Sequence, residues 1–174
     1  MSEELQTERL LLRHIGPADA GTITDLVQDP RVYRMLARIA PNQPKAQTLA
    51  WISGQDAAGK ADMEHVRAIV LEGNIVGVVG AHRELEGMPF NIGYWLSPVA
   101  WGKGLTTEAA KKLLAWLESR GETAFLSGHF VDNPASGRVL NKLGFMRAGR
   151  RRLFSLGRGE TVEHFDMARL ARNA

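Results

Sequence analysis

At 174 residues, 44% of them hydrophobic and 24% charged, the chain reads as one globular domain, 1–174, able to bury a core without staples. It has no cysteine, which excludes disulfides, thiolate metal sites and an acyl-cysteine intermediate, and its five histidines are too scattered for a structural zinc. The net charge of +3 is mild, no apolar run approaches the ~18 residues of a membrane span, and the acidic start Ser2-Glu3-Glu4 lacks the basic-then-apolar order of a secretory signal; a cytoplasmic protein with no membrane partner and no metal is expected.

Loose alternation over 8–16, stopped by Gly16-Pro17, predicts a strand. Ile23, Leu26 and Val27 share one face of a predicted helix over 18–28, and Pro30 suits the first turn of a short second helix carrying Val32, Tyr33 and Leu36. Pro41 and Pro44 interrupt it before a third helix over 45–59 with Leu49, Trp51 and Ile52. Strands follow at 64–71, 74–84 and 89–96, the first two joined by the tight turn Glu72-Gly73-Asn74.

The third of these strands leads through Trp101-Gly102-Lys103-Gly104-Leu105-Thr106-Thr107 into a helix on which Leu105, Ala109, Leu113, Trp116 and Leu117 recur at helical spacing. Without a Cβ, Gly102 and Gly104 let the backbone turn tightly and bring its N–H groups against an anion. The first helical turn adds unpaired N–H donors and a favourable dipole, so this is a place to hold a pyrophosphate. Two better-known phosphate loops do not fit. Lys103 is followed by Gly104 where a P-loop needs Ser or Thr, and the third glycine of a dinucleotide fingerprint would fall at Thr107. A plain strand-to-helix connection is the other reading of the two glycines.

A strand over 123–131, a helix over 134–143 and strands near 145–156 and 160–169, turned at Gly157-Arg158-Gly159, complete the chain. The order strand, loop, helix, strand, helix sets two neighbouring strands parallel. Ligands in open α/β sheets sit beyond the carboxyl ends of such strands, and the glycine loop and Asn133-Pro134-Ala135-Ser136 both start there. The arginines at 147, 150, 151 and 152 accompany a sequence pI of 9.5. In a strand they would alternate between faces rather than form one stripe, so a solvated edge is expected and no nucleic-acid partner.

Together, the segments 94–108 and 133–145 resemble the GNAT superfamily of acetyl-CoA-dependent N-acetyltransferases. The usual pyrophosphate loop is Gln or Arg, two residues, Gly, one residue, then Gly or Ala; those places hold Trp101, Gly104 and Thr106. Asn133, Ser136 and the ending Lys142-Leu143-Gly144-Phe145 are similar to the family's second strand-to-helix stretch. The opening Thr7-Glu8-Arg9-Leu10-Leu11-Leu12-Arg13 is similar to the first strand of the branch that contains the ribosomal-protein N-terminal acetyltransferases. The resemblance implies an α/β fold: a central twisted, mostly antiparallel sheet with a splayed parallel strand pair, flanked by helices.

It also implies a site. Leu96, Trp101, Gly102, Lys103, Gly104, Leu105, Thr106, Thr107, Asn133 and Ser136 would contact acetyl-CoA, the co-substrate, whose pantetheine arm would run between strands 89–96 and 123–131. A main-chain N–H of Trp95 or Leu96, near a bulged end of strand 89–96, would polarise the thioester carbonyl. Ser136 would protonate the leaving thiolate, because the place of the family's Tyr is taken by Leu140; a helix cap is the other reading of Ser136, and an Asn-Pro turn that of Asn133. The family's usual carboxylate base falls at Asn91, which cannot take a proton. Candidates for that role are then Glu84, Glu86, His82, His129 and Glu163, or a water relay. The acceptor expected is a peptide N-terminus or a small amine, an α-amine of pKa about 7.7–8.0 needing less help than a lysine at about 10.4. The helices over 18–37 and 45–59 and the final hairpin would frame its pocket, in a monomer or homodimer. Asn91, Leu140 and Thr106 also motivate a non-catalytic acyl-CoA-binding domain.

Overall fold

In the computed structural model, which describes residues 3–171, the runs rich in branched apolar residues pair into one eight-stranded sheet. The strands are β1 (Leu5–Gln6), β2 (Leu10–Arg13), β3 (Glu64–Leu71), β4 (Asn74–His82), β5 (Phe90–Leu96), β6 (Ala124–Phe130), β7 (Met146–Ser155) and β8 (Glu160–Leu170). Their order across the sheet is β1-β2-β3-β4-β5-β6-β8-β7, antiparallel except for the pair β5–β6. This is the mixed sheet that the resemblance implies.

The strand expected over 8–16 is shorter, β2 alone, and the two-residue β1 lies before it. Between them, the Thr7 N–H donates to the Leu10 carbonyl at 2.9 Å and its Oγ1 accepts from the Leu10 N–H at 2.8 Å, closing a tight turn. The expected bulge at the end of strand 89–96 also falls elsewhere. β5 pairs β4 without a register shift from His82↔Asn91 to Gly77↔Leu96, and the irregularity lies one strand over, between β3 and β4 at Ile69/Val70.

Alternation along the strands divides the core in two. Val79, Ala81, Phe90, Ile92 and Leu96 pack with helix α4 (Leu105–Ser119), whose buried face is Leu105, Ala109, Leu113 and Leu117. Val66, Ala68, Val70 and Val78 face the opposite way, against α1 (Ala20–Val27) and α3 (Lys45–Lys60), with the one-turn helix α2 (Pro30–Tyr33) between those two in sequence. A fifth helix, α5 (Pro134–Lys142), follows β6. None of the helices described is long and apolar enough to cross a membrane.

What shapes the site is the parallel pair. β5 and β6 are in register only at Phe90↔Phe125 and Asn91↔Leu126, after which they diverge, and at the vertex Ser127 Oγ donates to the Ile92 carbonyl at 2.7 Å. The carboxyl ends of the two strands therefore open like a V, each continuing into a loop and a helix.

Candidate active site

At one lip of the V, Gly102 and Gly104 hold φ of 75° and 74°, the left-handed region that a side chain strains. Gly104 is the N-cap of α4, and no side chain caps that helix, so its first-turn amides point out of the loop as unpaired donors. The loop is braced from behind. Arg9 donates to the Lys103 carbonyl at 3.0 Å and to Glu108 Oε2 at 2.8 Å, and Thr7 Oγ1 donates to Glu108 Oε1 at 2.6 Å. Burial works against the charge on Glu108, but the hydrogen bonds from Thr7 and Arg9 prevail and hold its carboxyl below the usual range. The turn between β1 and β2 thus supports an anion cradle.

Ser97 N–H donates to the Val76 carbonyl at 2.8 Å. Antiparallel alternation then directs the Trp95 N–H into the β4 ladder, and the Tyr94 and Leu96 N–H groups toward the gap beside β6. Two side-chain bonds agree with this: Ser127 reaches the Ile92 carbonyl, and the half-exposed Trp101 indole donates to the Leu96 carbonyl at 2.8 Å. Of the two candidate amides, Leu96's faces the gap. Trp101 closes the lip over it.

On the far wall, Asn133 caps α5 by accepting from the Ser136 N–H at 3.3 Å. The cap is therefore Asn133, and the Ser136 hydroxyl is left to meet Tyr94 Oη at 3.0 Å. Gly137 lets α5 lie this close: a Cβ there would sit 2.8 Å from His129 Nε2. Burial pushes the Tyr94 phenol up to about 12, against the Ser136 hydrogen bond, so the hydroxyl pair stays protonated at neutral pH. Leu140 is buried in the core.

The other face of the V is a cleft of about 1430 Å³ that includes both lips and extends under α1, α2 and α3. Its floor is bare: Gly80 and Gly93 are opposite one another, and a methyl placed on Gly93 meets no atom within 4 Å. Arg158 ties its outer wall together, donating to the Arg34 carbonyl at 2.7 Å and to both carboxylate oxygens of Asp132 at 2.7 and 3.0 Å. The Leu156 N–H donates to the Ala37 carbonyl at 2.9 Å. Here the hairpin over 155–160 meets the segment after α2.

The five candidate bases are dispersed. Glu163 pairs with Arg150, and Glu84 and Glu86 are exposed after β4. His129 Nδ1 lies 2.8 Å from the Phe130 carbonyl. His82, Glu84 and His129 line the cleft. The arginine run is matched by β8, Arg150 by Glu163 and Arg151 by Asp166, with Arg147 stacked 3.6 Å from the Phe165 ring centroid.

Sequence comparison gives the family: the profile of the acetyltransferase (GNAT) domain matches residues 9–146. The chain belongs to the GNAT acetyltransferase family. It is 28% identical to the uncharacterized N-acetyltransferase p20 of Bacillus licheniformis, over 98% of this chain and 97% of that one. It is 26% identical to the putative ribosomal N-acetyltransferase YdaF of Bacillus subtilis, over 83% and 82%. In fold it is similar to the ribosomal-protein α-N acetyltransferase RimL with coenzyme A (TM-score 0.85, 20% identity, 97% and 98% covered). It is likewise similar to the microcin C7 self-immunity acetyltransferase MccE with acetyl-CoA and AMP (TM-score 0.83, 20% identity, 95% and 94% covered). As an N-acetyltransferase of this family it moves an acetyl group to an amine. Tyr94 is the group in the site that the sequence motifs do not single out: its partner lies 42 residues away.

Proposed function

We propose that acetyl-CoA lies along the V between β5 and β6, its pyrophosphate on the amides from Trp101 to Thr107, and that an amine enters from the face of α1 and α3 to attack the thioester directly. The observation that carries this reading is the V itself. It has two ladder pairs at its vertex, an uncapped helix start at one lip and a protonated hydroxyl pair on the opposite wall.

The thioester carbonyl and the leaving sulfur then each have a residue. The Leu96 N–H, aimed into the gap, stabilises charge on the carbonyl oxygen; Trp95 serves through the ladder that holds Leu96 in place. Ser136, backed by Tyr94, gives a proton to the sulfur as the C–S bond breaks, while Asn133 fixes the start of α5. Gly93 leaves the approach open.

The acceptor we favour is a protein or peptide α-amine in the cytoplasm, supported by the ribosomal substrates in the names of RimL and YdaF and by the lower pKa of an α-amine. The test is thiol release from acetyl-CoA, followed with a thiol-reactive dye across short peptides and small amines; a chain without cysteine adds no background. Turnover with peptides supports the reading. Turnover with small amines alone redirects the acceptor, and acetyl-CoA binding without turnover on any amine contradicts it.

A further inference from the structure

The proposed reaction leaves one proton without a destination: the amine's, released as the C–N bond forms. Asn91 cannot take it, but its cross-strand partner is His82, whose own partner on β3 is Glu64. Alternation puts all three on the face of α1 and α3, at the vertex level of the V. His82 is diagonal to Gly93, a spacing of about 7–8 Å between backbones that a long or aromatic side chain can bridge.

The other four histidines each have one ring nitrogen engaged, His129 and His164 lining the cleft as well. His14 is 3.0 Å from Asp56, His65 2.6 Å from Asp62, His129 2.8 Å from the Phe130 carbonyl and His164 3.2 Å from Asp166. No protein group among the described residues hydrogen-bonds the His82 ring, and it lines the cleft. Glu64, by contrast, accepts from Gln55 Nε2 at 3.2 Å, which ties it to α3.

We propose that His82 takes the proton from the attacking amine. This rests on the acetyltransferase reading above. The nitrogen lone pair bonds to the carbonyl carbon and its proton passes to a free ring nitrogen of His82. The C–S electron pair goes to sulfur, which takes the proton of the Ser136–Tyr94 pair. His82 then returns its proton to solvent, and the hydroxyl pair recovers one from it. The charged groups around the ring are Arg38 from the segment after α2, Glu64 on β3 and Glu84 after β4. Burial, and then Arg38, outweigh the two carboxylates and lower the imidazole from its ordinary value, so it is neutral and able to accept at physiological pH.

The test uses the whole chain and an amine it acetylates. His82→Gln is expected to keep acetyl-CoA affinity and to lose about 10²-fold in kcat. Wild-type log(kcat/KM) falls with slope two at low pH, as His82 and the amine both take up protons, and the variant falls with slope one. Added imidazole restores part of the rate to His82→Ala. Equal rates and equal acid limbs overturn the assignment and leave the acetyltransferase reading standing; a wild-type chain that transfers to no amine overturns both. A slower variant with a parallel acid limb and no imidazole rescue shows that His82 only shapes the pocket, which overturns it as well.

Discussion

Replacing Gly93 by valine separates the site from the fold. A Cβ at Gly93 meets nothing within 4 Å, and the residue lies outside the left-handed region. A Cβ there therefore costs no clash, and reducing the freedom of the unfolded chain, as an alanine would, adds about 0.4–1 kcal/mol of stability. The added side chain projects from the cleft floor into the proposed path of the amine. Moving a reacting atom by about 1 Å costs about 10²-fold, or about 2.7 kcal/mol of barrier, so kcat/KM for the amine is expected to fall at least that far while the thermal midpoint holds or rises. Gly77→Ala is the counterpart on the neighbouring strand. Its Cβ would lie 2.2 Å from the Trp95 carbonyl oxygen and 2.6 Å from Leu96 Cδ2, an overpacking that costs about 1–3 kcal/mol of stability. The assays are thermal melts and thiol release on the same preparations. A folded Gly93→Val chain with wild-type turnover would remove Gly93 from the acceptor path.

Four further outcomes are expected. Ser136→Ala and Tyr94→Phe each slow kcat and leave acetyl-CoA affinity intact, as read by single-turnover kinetics and calorimetry. The raised Tyr94 pKa makes its contribution to stability fully present below about pH 10, its unfolded value, and lost as pH rises toward about 12; the alkaline slope of the melting curve is then shallower in Tyr94→Phe. Asp19, Asp132 and Glu108 are all held below their ordinary values, Asp19 and Asp132 chiefly by hydrogen bonds from Arg13 and Arg158, so their contribution is present above about pH 4 and lost as pH falls below it, which an acid titration by circular dichroism reads. Arg158→Ala, which frees the hairpin from Arg34 and Asp132, raises KM for the amine without changing acetyl-CoA affinity.

The parts of the site legible in the sequence are those whose demands are local. Gly102 and Gly104 are glycines because the loop turns through positive φ twice, and Asn133-Pro134 announces a helix start that the structure caps with Asn133. What was not legible depends on register between distant segments. Tyr94 and Ser136 meet across strand and helix, and Glu64, His82 and Asn91 become one row only once β3, β4 and β5 are aligned. Thr7 shows the same limit at short range: the turn between β1 and β2 comes from a side chain that competes with the ladder for the Leu10 amide.

The most direct test of the account is a crystal structure of the chain with acetyl-CoA. The account predicts the pyrophosphate on the amides between Trp101 and Thr107, and the thioester between β5 and β6. Its sulfur should lie on the Ser136–Tyr94 side, with the carbonyl carbon open to the cleft over Gly93. Coenzyme bound outside the V, or a sulfur turned away from the hydroxyl pair, would contradict it.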